Sequence, residues 1–142
     1  MARFTTTIAS RLDADAALAY MAAFEHSKDW DPSVEEAHRV GAGPLAVGTR
    51  FDLKARFGGR LLPLVYEITR LDAAQVELVA QQKVFTGTDV VTVSADGAGS
   101  RVVYDARIDL HGAARLLDPI IGLLFKRACA KAVLGLQREL NR

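Results

Sequence analysis

Cysteine is nearly absent: Cys129 is the single one among 142 residues, so no intramolecular disulfide and no cysteine-based zinc site can form. That economy is compatible with a reducing, cytoplasmic setting. Long apolar runs are also missing. None reaches the ~18–20 residues that cross a bilayer, and Met1-Ala-Arg-Phe-Thr-Thr-Thr-Ile8 lacks the continuous apolar stretch of a secretion signal. The expectation is a soluble, intracellular chain without a membrane span. Neither sign of charge prevails, because 18 Lys and Arg face 17 Asp and Glu for a net +1. Such a balance creates no field to hold a polyanion, so no nucleic-acid partner is expected. There is no Ser-His-Asp order, phosphate-cradling glycine loop or nucleotide fingerprint. Gly41-Ala-Gly-Pro44 and Gly97-Ala-Gly-Ser100 serve as turns, and no cofactor is expected.

What is present suits a globular fold: 50% of the residues are hydrophobic and 25% charged. A chain of 142 residues falls within the ~100–200 of one ordinary domain. Folding at this size buries roughly 68–70% of the unfolded surface, enough for a core without disulfides or a structural metal. Residues 1–142 are therefore read as one domain.

Arg3 to Arg11 is Thr-rich and β-branched, with Phe4, Thr6 and Ile8 on one face of a first strand. Asp13 then stands as N-cap to a helix over about Ala14 to Phe24. Ser27-Lys-Asp-Trp-Asp-Pro-Ser33 interrupts it, because Pro32 disfavours α geometry at Asp31, and puts Trp30 in a turn or a single helical turn. Strands are then expected over Val34–Val40 (a charged edge), Thr49–Phe57, Leu61–Leu71, Val76–Lys83, Val84–Ser94 and about Val102–Leu110. Gly58-Gly59 makes a hairpin turn, and Pro63 belongs near a strand start or a bulge. Ala113 to Asn141 reads as one long helix with Pro119 near its start and Asp118 as its cap.

The order is α+β: a strand, a helix and a turn, about six antiparallel strands with short connections, and a long terminal helix. One helix, ~10–12 Å across, covers only part of a broad curved sheet. A cavity remains unless large side chains fill the concave space; Ala128, Ala132 and Gly135 on the helix are small, which suits either a pocket or close helix–sheet packing.

Several segments in this order carry a family resemblance: Asp29-Trp30-Asp31-Pro32, Val47-Gly-Thr-Arg-Phe51, Tyr66-Glu-Ile-Thr-Arg-Leu-Asp72, Gly99-Ser-Arg-Val-Val-Tyr104 and the stretch Pro119 to Leu140. Over almost its whole length the chain resembles the SRPBCC or START-like superfamily, and within it the polyketide cyclase/dehydrase-like group, which shares a helix-grip fold with the birch-pollen-allergen proteins. The resemblance implies a curved sheet of about seven antiparallel strands gripping the terminal helix, with one or two short helices after the first strand. It also implies a cavity for a small hydrophobic or amphipathic ligand. Members range from polyketide cyclases and aromatases to carriers of lipids, sterols or hormones, so fold alone assigns no reaction.

Phe51, Leu53 and Phe57 on one strand and Tyr104, Ala106 and Ile108 on another are inward candidates, as cavity wall or ordinary core. Tyr66 and Tyr104 carry phenols that can orient a ligand carbonyl or hydroxyl, or bond a backbone carbonyl. Trp30 sits where the family pattern places an aromatic near the cavity mouth, or it anchors its turn to the core. Asp89 shares strand parity with Phe85, Val91 and Val93; if that face is interior, Asp89 is a carboxylate in an apolar pocket, the setting of a general acid or base. A bulge would reverse it into solvent. Gln82 is a candidate for the same cavity, and Leu117, Ile121, Leu124, Phe125 and Ala128 complete the expected lining from the helix. Cys129 reads as a small core residue. His38 shares parity with Glu36, but no third ligand stands at a helpful spacing, so no metal site is expected.

Three functions compete. The first encloses a small apolar or amphipathic molecule; the second is a cyclase or dehydratase in which Asp89, Tyr66 or Tyr104 manages protons. The third is a protein-interaction domain, or a homodimer, that uses an apolar outer surface at Leu116, Ile120 and Leu123.

Overall fold

The period-two stretches pair into one curved antiparallel sheet of seven strands in the order β1-β7-β6-β5-β4-β3-β2; the computed structural model describes residues 1–142. The strands are β1 (Ala2–Ser10), β2 (Val34–Val40), β3 (Arg50–Phe57), β4 (Arg60–Leu71), β5 (Gln75–Gln81), β6 (Phe85–Asp96) and β7 (Gly99–Leu110). β2 to β7 form a meander, and β1 closes onto β7, so β1 and β2 are opposite edges. The chain crosses between those edges through α1 (Ala14–Ala22), a 3-10 turn (Phe24–His26) and the four-residue α2 (Ser27–Trp30). A second 3-10 turn (Gly112–Leu117) leads into α3 (Asp118–Glu139).

Local chemistry sets several boundaries. Asp13 caps α1 by accepting the Ala16 N–H at 2.8 Å. The helix stops at Ala22 rather than at Phe24, because Ala23 leaves helical geometry and lets Phe24 turn into the core. There Phe24 meets Tyr66 at 4.9 Å, Trp30 at 6.1 Å and Phe51 at 6.3 Å between ring centroids. Gly58 and Gly59, at φ 59° and 81°, make the tight turn between β3 and β4.

The terminal helix is shorter than the unbroken pattern suggests. Pro119 has no N–H to serve the Arg115 carbonyl, which instead takes the Asp118 N–H in a three-residue step, so the first turn is 3-10 and α3 begins at Asp118. Asp118 is therefore not the cap. Leu117 holds that position, and the Asp118 carboxylate accepts the amino-terminal ammonium of Met1 at 2.6 Å.

α3 leans on β1 and α2 rather than on the middle of the sheet. Only the approach to α2 requires a glycine. A Cβ at Gly122 would stand an ordinary 3.6 Å from the Ala2 Cβ, whereas one at Gly135 would overlap the Trp30 carbonyl. Under α1, by contrast, the sheet is filled: Val76, Leu78, Val91 and Val102 are fully buried beside Met21, and each such side chain contributes about 1.5–3 kcal/mol. Pro63 lies in the first half of β4, which pairs with β3 alone because β5 joins β4 only over Tyr66–Leu71. The missing N–H costs no ladder bond to β5 there, and the sheet is open at that corner.

Gly135→Ala should lower stability by about 1–2 kcal/mol in urea denaturation, since overpacking costs about 1–3 kcal/mol against up to ~1 kcal/mol of helix propensity gained. Gly122→Ala, which meets no such obstacle, should gain up to ~1 kcal/mol.

Candidate ligand cavity

Between the open half of the sheet and α3 lies a cavity of about 590 Å³ whose lining is hydrophobic at 25 of 34 residues. Its wall is built from the inward positions of β3, β4, β6 and β7, and from one side of α3. Gly58 and Arg60 at the β3–β4 turn, Val84 before β6 and Leu117 before α3 also line it and are exposed. The cavity thus opens between those turns and the start of α3, at the corner where β4 lacks β5.

The inner end is polar. Asp89, 7% exposed, projects from β6 and accepts the Tyr104 hydroxyl at 2.6 Å from β7. The two residues are diagonal neighbours, since Asp89 pairs with Ala106 and Tyr104 with Val91. Tyr66 comes from β4, and its hydroxyl would stand an ordinary 3.6 Å from a Cβ at Gly87. Trp30 is buried, lies edge-on to Tyr104 at 5.7 Å and lines the cavity. Asp31 follows it, with Oδ1 accepting the Ser33 N–H at 2.9 Å and the Ser33 hydroxyl at 2.7 Å.

Burial governs the protonation of this end. It pushes the Asp89 carboxyl up to about 7; the Tyr104 donor pulls downward, while the charges of Asp31 and Asp105 add to the rise. Burial also raises Asp31, against the two Ser33 bonds. The Tyr66 and Tyr104 phenols lie well above their ordinary value through burial and then through the nearby Asp89 charge. Burial, with Asp89 and Asp31 behind it, lifts the Cys129 thiol to about 12. At neutral pH the site therefore offers neutral phenols, a neutral thiol and a carboxyl poised between its two forms.

A family described as "Polyketide cyclase / dehydrase and lipid transport" matches residues 1–141. The chain belongs to this family. A START superfamily protein from Mycobacterium smegmatis superposes with a TM-score of 0.77 at 12% identity, covering 97% of this chain and 96% of that one. A protein from Thermus thermophilus gives 0.76 at 17% identity over 98% and 95%. The Zhui aromatase/cyclase from Streptomyces sp. R1128 gives 0.74 at 11% identity over 97% and 90%. Identities this low carry the fold alone. No curated protein sequence matches the chain.

Within this family fold, the structure brings most of the expected lining together: Trp30, Leu53, Phe57, Tyr66, Phe85 and Asp89, with Tyr104 and Ile108 from β7 and Leu117, Ile121, Phe125 and Ala128 from the helix side. Four expected residues lie outside it. Phe51 and Val91 share the inward parity but sit farther along their strands, Phe51 against Phe24 and Val91 in the core beneath α1, so both are core. Gln82 falls in the turn after β5 ends at Gln81, its N–H bonded to the Phe85 carbonyl. Leu124 stands two residues, about 200° of helix, from Gly122 and hence on the flank away from β1, half-buried outside the lining.

Sequence reasoning passed over Leu62 and Leu64, whose parity with Tyr66 carried the signal. It also read Asp31 only as a turn former and Cys129 only as core, whereas both line the cavity. His38 and Glu36 lie exposed, 3.9 Å apart, and no third His, Cys, Asp or Glu joins them. Leu116, Ile120 and Leu123 are exposed on the outer side of the helix.

The sign of the pH effect follows from Asp89. As pH rises from about 4, the unfolded carboxyl ionises first while the folded one keeps its proton to about 7, so stability falls across that window and is level above it. A rise from 3.8 to about 7 corresponds to on the order of 4 kcal/mol. Asp89→Asn retains an acceptor for Tyr104 and should flatten most of that decline in urea denaturation between pH 4 and 8, leaving the smaller slope due to Asp31.

Proposed function

We propose that the protein binds a small hydrophobic or amphipathic molecule inside this cavity. The observation that carries the reading is the 590 Å³ space itself, predominantly apolar, with the hydrogen-bonded Asp89–Tyr104 pair at the inner end. That volume lies within the ~300–1,000 Å³ of small-molecule sites, and apolar wall with a few convergent polar groups supplies affinity through burial and orientation through hydrogen bonds.

Nile red, a neutral lipophilic dye, should show enhanced blue-shifted fluorescence with the protein. Its displacement by 1-alkanols from hexanol to decanol should tighten about threefold to fourfold per carbon, following ~0.8 kcal/mol per buried CH₂. Ala128→Trp places an indole in the void and should abolish uptake while the circular dichroism is retained; dye binding by that variant at full strength would overturn the reading.

A second reading rests on Asp89. A carboxyl near 7, bonded to a phenol inside an apolar site, suits proton transfer to or from a bound carbonyl chain, as in cyclisation or dehydration. The aromatase/cyclase name of one structural neighbour is in keeping with such chemistry. The test is deuterium exchange of 2-nonanone in D₂O followed by proton NMR: the protein should accelerate exchange above the buffer rate, and Asp89→Asn should return it there.

A further inference from the structure

The polar end of the cavity is one-sided in charge. Asp31 and Asp89 both line it, yet neither takes part in any ion pair of the molecule. Three arginines, Arg56, Arg60 and Arg107, also line the cavity. Arg56 reaches Glu35 at 2.9 Å and Arg107 stands 3.9 Å from Asp109, both from outward positions of their strands, while Arg60 is exposed at the β3–β4 rim.

Unused acceptors point the same way. Asp89 spends Oδ2 on Tyr104, and no protein donor reaches its Oδ1. Asp31 spends Oδ1 on Ser33, and its Oδ2 is likewise free. Ser27, 1% exposed and part of the same lining, has an Oγ without any hydrogen-bond partner. Two acids in an oily space are costly without a counter-charge, and a buried hydroxyl without a partner adds to that cost. A ligand that brings donors and positive charge answers the two acids. The rings of Trp30, Phe24, Tyr66 and Tyr104 add the aromatic faces on which cations rest.

We propose that the cavity selects a cationic amphiphile, an aliphatic or aromatic amine whose ammonium group pairs with Asp89 and Asp31 while its apolar body fills the space beneath α3. This rests on the cavity-binding reading and adds the charge of the occupant. An anionic amphiphile meets two acids at the inner end, where the lining cations are Arg56 and Arg107, each beside its own acid, and Arg60 at the rim; a neutral alcohol gains the hydrogen bonds without the ion pair. The ammonium arrives already protonated, so Asp89 releases its own proton to the buffer as the pair forms. The titratable groups around Asp89 are Tyr104 and Asp105 from β7, Tyr66 from β4, Asp31 after α2 and Cys129 from α3; none supplies a cation.

The experiment is displacement of Nile red from the intact protein at pH 7.5 by decylamine, 1-decanol and decanoate. Decylamine should bind at least about tenfold tighter than decanol, with decanoate weakest. Asp31→Asn combined with Asp89→Asn should bring decylamine and decanol within about twofold of each other. Calorimetry of the unmutated protein at pH 6, in phosphate and in an amine buffer, should show proton release with decylamine and none with decanol, which keeps the test independent of how the variants fold. Decanoate binding as tightly as decylamine, or decylamine binding without proton release, overturns the amine proposal and leaves the cavity reading standing. Failure of the unmutated protein to take up Nile red overturns both.

Discussion

A helix seated against β1 and α2 cannot also reach the strands on the far side of the sheet, and the consequences of that seating run through the whole molecule. Gly135 lets α3 approach the Trp30 carbonyl, and packing along β1 completes the seat, which draws the helix away from β3 and β4. The sheet, curved by the twist of its long strands, is filled under α1 by aliphatic side chains but left uncovered where β4 extends beyond β5. The cavity is the space between these two facts, and its opening lies where the sheet is incomplete.

Placing polar groups at the inner end of such a space changes their chemistry. In water Asp89 is an ordinary acid; on the inner face of β6, among apolar neighbours and beside Asp31, it holds its proton to near neutrality. Tyr104 steadies it through a short hydrogen bond without neutralising it. Destabilisation by a buried acid and its readiness to exchange a proton or meet a cation are two expressions of one desolvation. The family fold provides the enclosure, and the chemistry within depends on the few groups that break the apolar wall.

Much of this was legible in the residues. Period-two alternation located all seven strands within a few positions and Asp13 marked its helix, while the parity of Asp89 with Phe85 and Val93 left two faces open, of which the structure takes the interior one. The errors have physical causes. Phe51 and Val91 show that parity tells the face of a strand but not the depth along it, which depends on where α1 lies. Gln82 was lost because the boundary of β5 is set by pairing with β6, and Leu124 because a half-apolar helix does not declare its angle of rotation. Asp31 was hidden by its turn-forming role, which its Ser33 bonds do fulfil while the residue also lines the cavity.

Local chemistry, written in the order of the residues, therefore determined the α+β class, the meander and the hairpin at Gly58-Gly59, since backbone sterics and side-chain periodicity act between near neighbours. Tertiary structure alone decided that Trp30, Tyr66, Asp89, Tyr104 and Cys129 share one enclosure, that the acids there lack a counter-charge, and that a void survives at all. Those properties depend on distances between segments far apart in the chain and on the volume left after α3 has found its seat.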